Sequence, residues 1–234
     1  MPELPLRIGR WSFPVDWFVS KPCPLCRQPL GTPSLEVRCC STCADALLLA
    51  KGGLEGSNPL QWWAAGHYMG AYRRVLLGLR QRPHRESIGA LLKVVDPPSF
   101  PPRVSPLLVP VPSWKRRANP LPDLICQLGG RQWRWGSAQL LQRSRPVLGQ
   151  HHLNQAMRWE NQKGAFTCSR RAKPGEARQH PVVLVDDILT TGATALSAST
   201  ALAEAGWRVE GLICLARTPW HRKDVSGDLR SLSR

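Results

Sequence analysis

Residues 182–194, VVLVDDILTTGAT, run four apolar side chains straight into two adjacent carboxylates and then a Thr/Gly turn. A strand that is apolar at every position has both faces covered, which is the condition inside a parallel sheet. The following TTGATALSASTALAEAG reads as a turn and a helix, and WRVEGLICLART as another strand. Strand, loop, helix and strand over 182–215 make a βαβ unit. The expected fold class is α/β, with an open, mostly parallel sheet whose ligands bind beyond the carboxyl ends of the strands.

That geometry gives the two acids a purpose. Asp186 and Asp187 emerge at the carboxyl end of a central strand, and neighbouring carboxylates repel unless hydroxyls or a metal stand opposite them. The loop of Thr190, Thr191, Gly192, Ala193 and Thr194 leads into a helix whose first amides have no partner within it. Those amides, with the threonine hydroxyls, can donate to a phosphate at the positive end of the helix dipole. Gly192 lets the backbone close on the anion. One phosphate at the loop and two carboxylates beside it match a ribose 5-phosphate. The acids would accept from the 2′ and 3′ hydroxyls or reach Mg2+ through water. Ordinary helix capping explains one polar residue at such a place, not two acids after four apolar residues.

Five of the eight cysteines fall in CPLCRQPLGTPSLEVRCCSTC. Cys23 and Cys26 form one C-x2-C pair, and Cys40 and Cys43 a second. Two such knuckles can set four thiolates at the corners of a tetrahedron, as a structural zinc site requires, with no position left open for catalysis. Cys39 is the alternative to Cys40. A metal here would hold together an N-terminal segment too small to fold otherwise. The isolated Cys126, Cys168 and Cys214 read as packing residues.

The zinc-binding module is expected over residues 1–54, a second domain over 55–218, and a basic flexible tail over 219–234. Within the second domain, LPDLICQLGG should be a helix stopped by its glycines, and the prolines of DPPSFPPRVSP exclude regular structure. The net charge is +16, and residues 103–180 contribute fourteen Lys and Arg against three acids. Trp133, Trp135 and Trp159 are interleaved with them. Basic side chains can track a phosphate backbone while exposed indoles stack on unpaired bases, so single-stranded DNA is an expected partner; core packing is the other use of the tryptophans. No stretch approaches the ~20 apolar residues of a membrane span. No signal peptide is read in the first residues, and a cytoplasmic location is expected, with the inner face of the membrane a further place to act.

VVLVDDILTTGAT resembles the phosphoribosyl-pyrophosphate signature of the type I phosphoribosyltransferases. The chain as a whole is similar to the ComF (ComFC-like) family of bacterial proteins implicated in DNA uptake during natural transformation. The cysteine pairs come first, as in that family, and AYRRVLLGLRQRPH, LVPVPSWKRR and LLQRSRPVLGQHHLNQAMRWENQKGAF resemble its later segments. Arg80 stands where the family usually has lysine. Where the family reads Arg-Gly-Phe-Asn-Gln, this chain reads Arg117, Ala118, Asn119, Pro120 and Leu121.

The resemblance implies a sheet of type I phosphoribosyltransferase kind behind a four-cysteine zinc module, with phosphoribosyl pyrophosphate and Mg2+ as ligands. Asp186 and Asp187 would hold ribose and metal. Lys115, Arg116 and Arg117, with Arg143 and Arg145 from a mobile loop, are candidates for the pyrophosphate. Phosphoribosyl transfer would pass through an oxocarbenium-like state as pyrophosphate leaves. The sequence shows no general base and no acceptor pocket, so enzymatic turnover is left open. Salvage of a free nucleobase and non-catalytic sensing of phosphoribosyl pyrophosphate are the alternatives. Proteins of a DNA-uptake machinery are the further partners implied.

Overall fold

A computed structural model describes residues 22–29, 39–113, 119–144 and 164–219. The main sheet contains β1 (Leu54–Gly56), β2 (Trp62–His67), β3 (Leu107–Pro110), β4 (Gly136–Ser137), β7 (Val182–Val185), β8 (Ile188–Leu189) and β9 (Val209–Arg217). Its order is β1-β2-β9-β7-β3-β4, with β8 pairing onto β9 just beyond the end of β7. All pairings are parallel except that of β1 with β2 at one edge. The α/β fold with an open, mostly parallel sheet is as expected from the βαβ pattern.

Among the described residues the helices are α1 (Ser41–Ala46), α2 (Gly70–Gln81), α3 (Arg85–Leu92), α4 (Leu121–Trp133), α5 (Glu176–Gln179) and α6 (Ala193–Glu204). They cover both faces of the sheet, and the pleat of β7 sorts its side chains between them. Val183 and Val185 enter a core with Leu76, Ile88, Leu91 and Ile125 from α2, α3 and α4. Val182 and Leu184 enter a second core with Ala195, Ala198 and Leu202 of α6 and with Leu141 and Phe166. Those last two belong to a separate antiparallel pair, β5 (Leu141–Arg143) and β6 (Phe166–Cys168). The N-terminal knuckle shares the first core through Cys23, Cys39 and Leu47.

The helix in LPDLICQLGG does not stop at its glycines. α4 continues to Trp133 and ends on Arg134 in the left-handed conformation. A Cβ on Gly129 would lie 2.5 Å from the Trp133 ring, and one on Gly130 would lie 3.0 Å from the Trp135 carbonyl. The glycines are there to admit the indole-bearing turn, and Ala-like substitutes would push it away.

Tyr72 of α2 is fully buried, with its hydroxyl donating to the Leu215 carbonyl at 2.7 Å, which fixes α2 across β9. Gly211 allows β9 to meet the entry to β2: Leu212 N donates to Gln61 O at 2.9 Å, while a Cβ on Gly211 would lie 2.4 Å from that same oxygen. Gly211→Ala is therefore expected to destabilise the protein by about 1–3 kcal/mol, the usual cost of overpacking a tight site. Denaturant unfolding checks this; an unchanged midpoint would mean that the two strands have slack.

Candidate functional site

Both acids are pinned to β9 by their backbones. Asp186 N donates to Ile213 O at 3.1 Å, and Asp187 O accepts from Leu215 N at 3.0 Å and Ala216 N at 3.1 Å. Their side chains then part. Asp187 is 2% exposed. Arg80, in the last turn of α2, grips it with two nitrogens: Nε donates to Oδ2, and Nη2 to Oδ1 at 2.8 Å. Asn119 Nδ2 donates to Oδ2 at 2.7 Å. The charge of Asp187 is thus met from within the chain. Asn119 also accepts from Leu121 N at 3.2 Å through its side-chain oxygen, which ties the start of α4 to the same carboxylate.

Asp186 is half-buried, and its Oδ1 accepts from Asp187 N at 2.8 Å. Burial, and then the charge of Asp187, push its carboxyl well above the ordinary carboxylate range, against the pull of Arg80. It is the acid of the pair whose charge is less well compensated. Arg143, on β5, lies within electrostatic reach of it. That guanidinium stacks on the Phe166 ring at 4.1 Å and donates through Nε to Pro112 O at 3.1 Å. Burial lowers Arg143 to about 10, with Asp186 opposing the shift.

The loop after the acids is shaped from below by Arg217, the last residue of β9. Its Nη1 donates to Leu189 O at 3.1 Å and to Thr190 O, and Thr218 N donates to Leu189 O at 2.9 Å. In a trans peptide the carbonyl and the next amide point opposite ways. With two carbonyls turned toward Arg217, the amides of Thr190 and Thr191 turn to the other side of the loop. Gly192 follows with φ 83°, and a Cβ there would lie 2.3 Å from the Pro59 ring. Helix α6 starts immediately afterwards; Thr191 Oγ1 accepts from Ala193 N at 3.4 Å, and Gly192 O accepts from Leu196 N at 2.9 Å. Thr190, Thr191 and Thr194 are half-buried at this start. Outward amides at the beginning of a helix make an arrangement suited to an anion.

Of the residues singled out in the sequence, the structure brings together Asp186, Asp187, the loop from Thr190 to Thr194, and Arg143. Lys115, Arg116, Arg117, Arg145 and Trp159 lie outside the described residues, as does nearly all of the tail. Asn119 and Arg217 went unassigned in the sequence. A cation ending an otherwise apolar LICLAR run was the available signal for Arg217; Asn119 gave only its place before a helix.

The four cysteines of the two knuckles come together, with their sulfurs all within 4.8 Å of one another. Cys23 and Cys43 are 3.9 Å apart, and Cys26 and Cys40 3.6 Å. A tetrahedron with metal–sulfur bonds of about 2.3 Å, as for zinc, has edges of about 3.8 Å, so this set fits such a metal. Burial would raise the Cys23 thiol, but amides of Cys26, Cys40 and Leu25 donate to its sulfur and hold it down at about 6. Cys39 faces the core instead, and burial pushes it up to about 11. The alternative between Cys39 and Cys40 is resolved in favour of Cys40. Ser87 Oγ, on α3, donates to Pro24 O and anchors the first knuckle to the rest of the fold.

No protein-family model matches this chain. It is 35% identical over 119 residues to the DNA utilization protein YhgH of Escherichia coli K12, covering 47% of this chain and 49% of that protein. The same-named protein of Escherichia coli O6:H1 is 35% identical over 118 residues. At this identity the chain spans about half the length of the curated relatives it matches. The same-named protein of Salmonella typhi is 29% identical over 213 residues, 84% of each chain. Among the described residues no helix is long and apolar enough to cross a membrane.

Asp186 holds its proton more tightly in the folded protein than in the unfolded chain, where its value is 3.8. Its contribution to stability is therefore whole below that value and is lost as pH rises through the folded value. Asp186→Asn should raise the thermal midpoint of the ligand-free protein at about pH 8, and the gain should vanish toward about pH 4. Equal midpoints across a pH series would show that the carboxylate carries no such strain.

Proposed function

We propose that this chain is a ComF-type, phosphoribosyltransferase-like protein that binds phosphoribosyl pyrophosphate with Mg2+, binds single-stranded DNA, and serves DNA uptake. The observation that carries the reading is the loop cradle: Arg217 holds the carbonyls of Leu189 and Thr190, so the amides of Thr190 and Thr191 face away from it at a helix start, beside the half-buried Asp186. In this reading residues 55–218 are the phosphoribosyl-binding domain, residues 1–54 a zinc module and residues 219–234 a basic tail. The name shared by the relatives from Escherichia coli and Salmonella typhi supports a role with DNA.

Each part of the sugar phosphate has a counterpart in the chain. The loop from Thr190 to Thr194 takes the 5-phosphate through its amides and hydroxyls, with the dipole of α6 adding attraction. Asp186 accepts from the ribose hydroxyls or from water on the metal. Asp187 acts through position: tied to Arg80 and Asn119, it holds the strand tip and keeps Asp186 facing the ligand. Lys115, Arg116, Arg117, Arg143 and Arg145 serve the pyrophosphate, and Arg143 is already braced on Phe166 beside Asp186. Bound Mg2+ would supply neutralisation of the pyrophosphate charge. Occupancy by diol and cation would also relieve the cost of ionising Asp186, which gives the ligand a differential grip on a site that is strained when empty.

Isothermal titration calorimetry with phosphoribosyl pyrophosphate and Mg2+ tests this. Asp186→Asn should weaken binding by about tenfold or more, the loss expected from one charge-assisted contact. Wild-type and variant proteins that bind alike, or a wild type that does not bind, would overturn the assignment.

The zinc reading has its own test. Metal analysis after dialysis should find about one Zn2+ per chain. Cys40→Ser should lose it with a fall in thermal stability, whereas Cys39→Ser should retain it; retention by Cys40→Ser would exclude the four-thiolate set.

A further inference from the structure

At the amino end of the sheet, opposite the acids, lies an open cleft of about 450 Å3. Its walls are the proline-rich segment before β3 and the turn that joins α4 to β4, with Phe100, Trp133, Arg134 and Trp135 among its lining. The aromatic rings are ordered against one another. Phe100 meets Trp135 edge-on with centroids 5.4 Å apart, and Trp133 tilts against Trp135 at 5.4 Å. All three are half-buried: their inner faces pack on the core and their outer parts border the cleft. Trp133 and Trp135 therefore pack on the core on one side and leave part of their surface on the cleft.

The cleft carries positive charge. Its lining holds one charged side chain, the exposed Arg134, and no acid. Arg134 is placed at a conformational disadvantage. It holds φ 59° and ψ 37° at the C-cap of α4, a left-handed position where glycine is the favoured residue, and Trp135 N closes the cap on Gly130 O at 3.0 Å. A side chain kept where none is the cheaper choice points to a use for its charge.

We infer that this cleft is a stacking site for the bases of single-stranded nucleic acid, with Arg134 on the phosphate. The inference rests on the reading that the chain binds single-stranded DNA and assigns that binding a place. Flat indole and proline surfaces accept any unpaired base, whereas a duplex keeps its base faces within its own stack. An exposed cation in a lining that holds no acid favours a polyanion over a neutral peptide.

Titration of the full chain with a fluorescein-labelled oligothymidylate, followed by anisotropy at several salt concentrations, tests it. Arg134→Gly suits the backbone and should keep or raise the thermal midpoint. It should weaken binding and reduce the steepness of the salt dependence by about 0.7, one phosphate contact on a single strand. Trp135→Leu should weaken binding roughly tenfold with the salt dependence unchanged. Should Trp135→Leu fail to fold, quenching of wild-type tryptophan fluorescence by the oligonucleotide, reduced in Arg134→Gly, gives the same answer. Variants that bind as tightly as wild type would overturn the cleft while leaving DNA binding in place. Duplex of equal length binding as well as the single strand would overturn stacking. A wild type that binds no oligonucleotide would overturn this inference together with the DNA reading beneath it.

Discussion

The buried charge of Asp187 is the constraint around which the ligand end of the sheet is assembled. A carboxylate taken out of water without partners costs several kcal/mol, and this one recruits them from two remote segments, Arg80 on α2 and Asn119 before α4. Hydrogen bonds to a charged group contribute roughly 1.5–3 kcal/mol each, less where Arg80 is open to solvent. The direct result is positional. The strand tip, the end of α2 and the start of α4 cannot drift apart without exposing an unpaired charge. Two adjacent acids that look equivalent in the sequence thereby become different groups, one a structural tie and the other a strained carboxyl beside the loop.

Arg217 does for the loop what Arg80 does for the acid. Its guanidinium collects carbonyls of Leu189 and Thr190, and the planarity of the peptide converts that into outward amides. The cradle is therefore not a property of the TTGAT segment alone. It depends on a cation delivered by β9, whose register on β8 places Arg217 directly opposite Leu189. Burial lowers the pKa of Arg217, yet its position beneath two carbonyls and near the Trp62 ring keeps it useful as a charge. A positively charged base under the loop adds to the field that the helix start already offers an anion.

Local pattern made much of this legible. VVLV followed by a turn and an alanine-rich helix could only be buried on both faces of a sheet, and the two C-x2-C spacings carried their own geometry. What stayed hidden are interactions between residues far apart in the chain. Asn119 is 68 positions from Asp187, and no local rule joins them. Arg80 stood out as a substitution within a resemblance, without showing which acid it would meet. The glycines of α4 were misjudged because a helix-stop signal and a packing notch look the same until Trp133 is folded back on Gly129. The choice of Cys40 over Cys39 followed one residue of spacing, and the physical reason is that α1 begins there: Cys40 and Cys43 share its first turn, while Cys39 is left facing the core.

Helix α4 connects the two ends of the molecule that matter most here. It starts beside Asn119 on the buried acid and ends at Trp133 and Arg134 on the aromatic cleft. Thirteen residues of α-helix span about 20 Å. Transfer to a bound base would require reacting atoms within about 3–3.5 Å. A base stacked against Trp135 is thus far out of range of a ribose held at the strand tips, so the cleft cannot be an acceptor subsite for the sugar. If the cleft stacks bases as proposed, its contacts would be tolerant of sequence and dependent on salt, which suits retention of a polymer. On the proposed reading, nucleic acid would be held at one end of the sheet and a sugar phosphate at the other, and the two sites would share nothing but the helix between them.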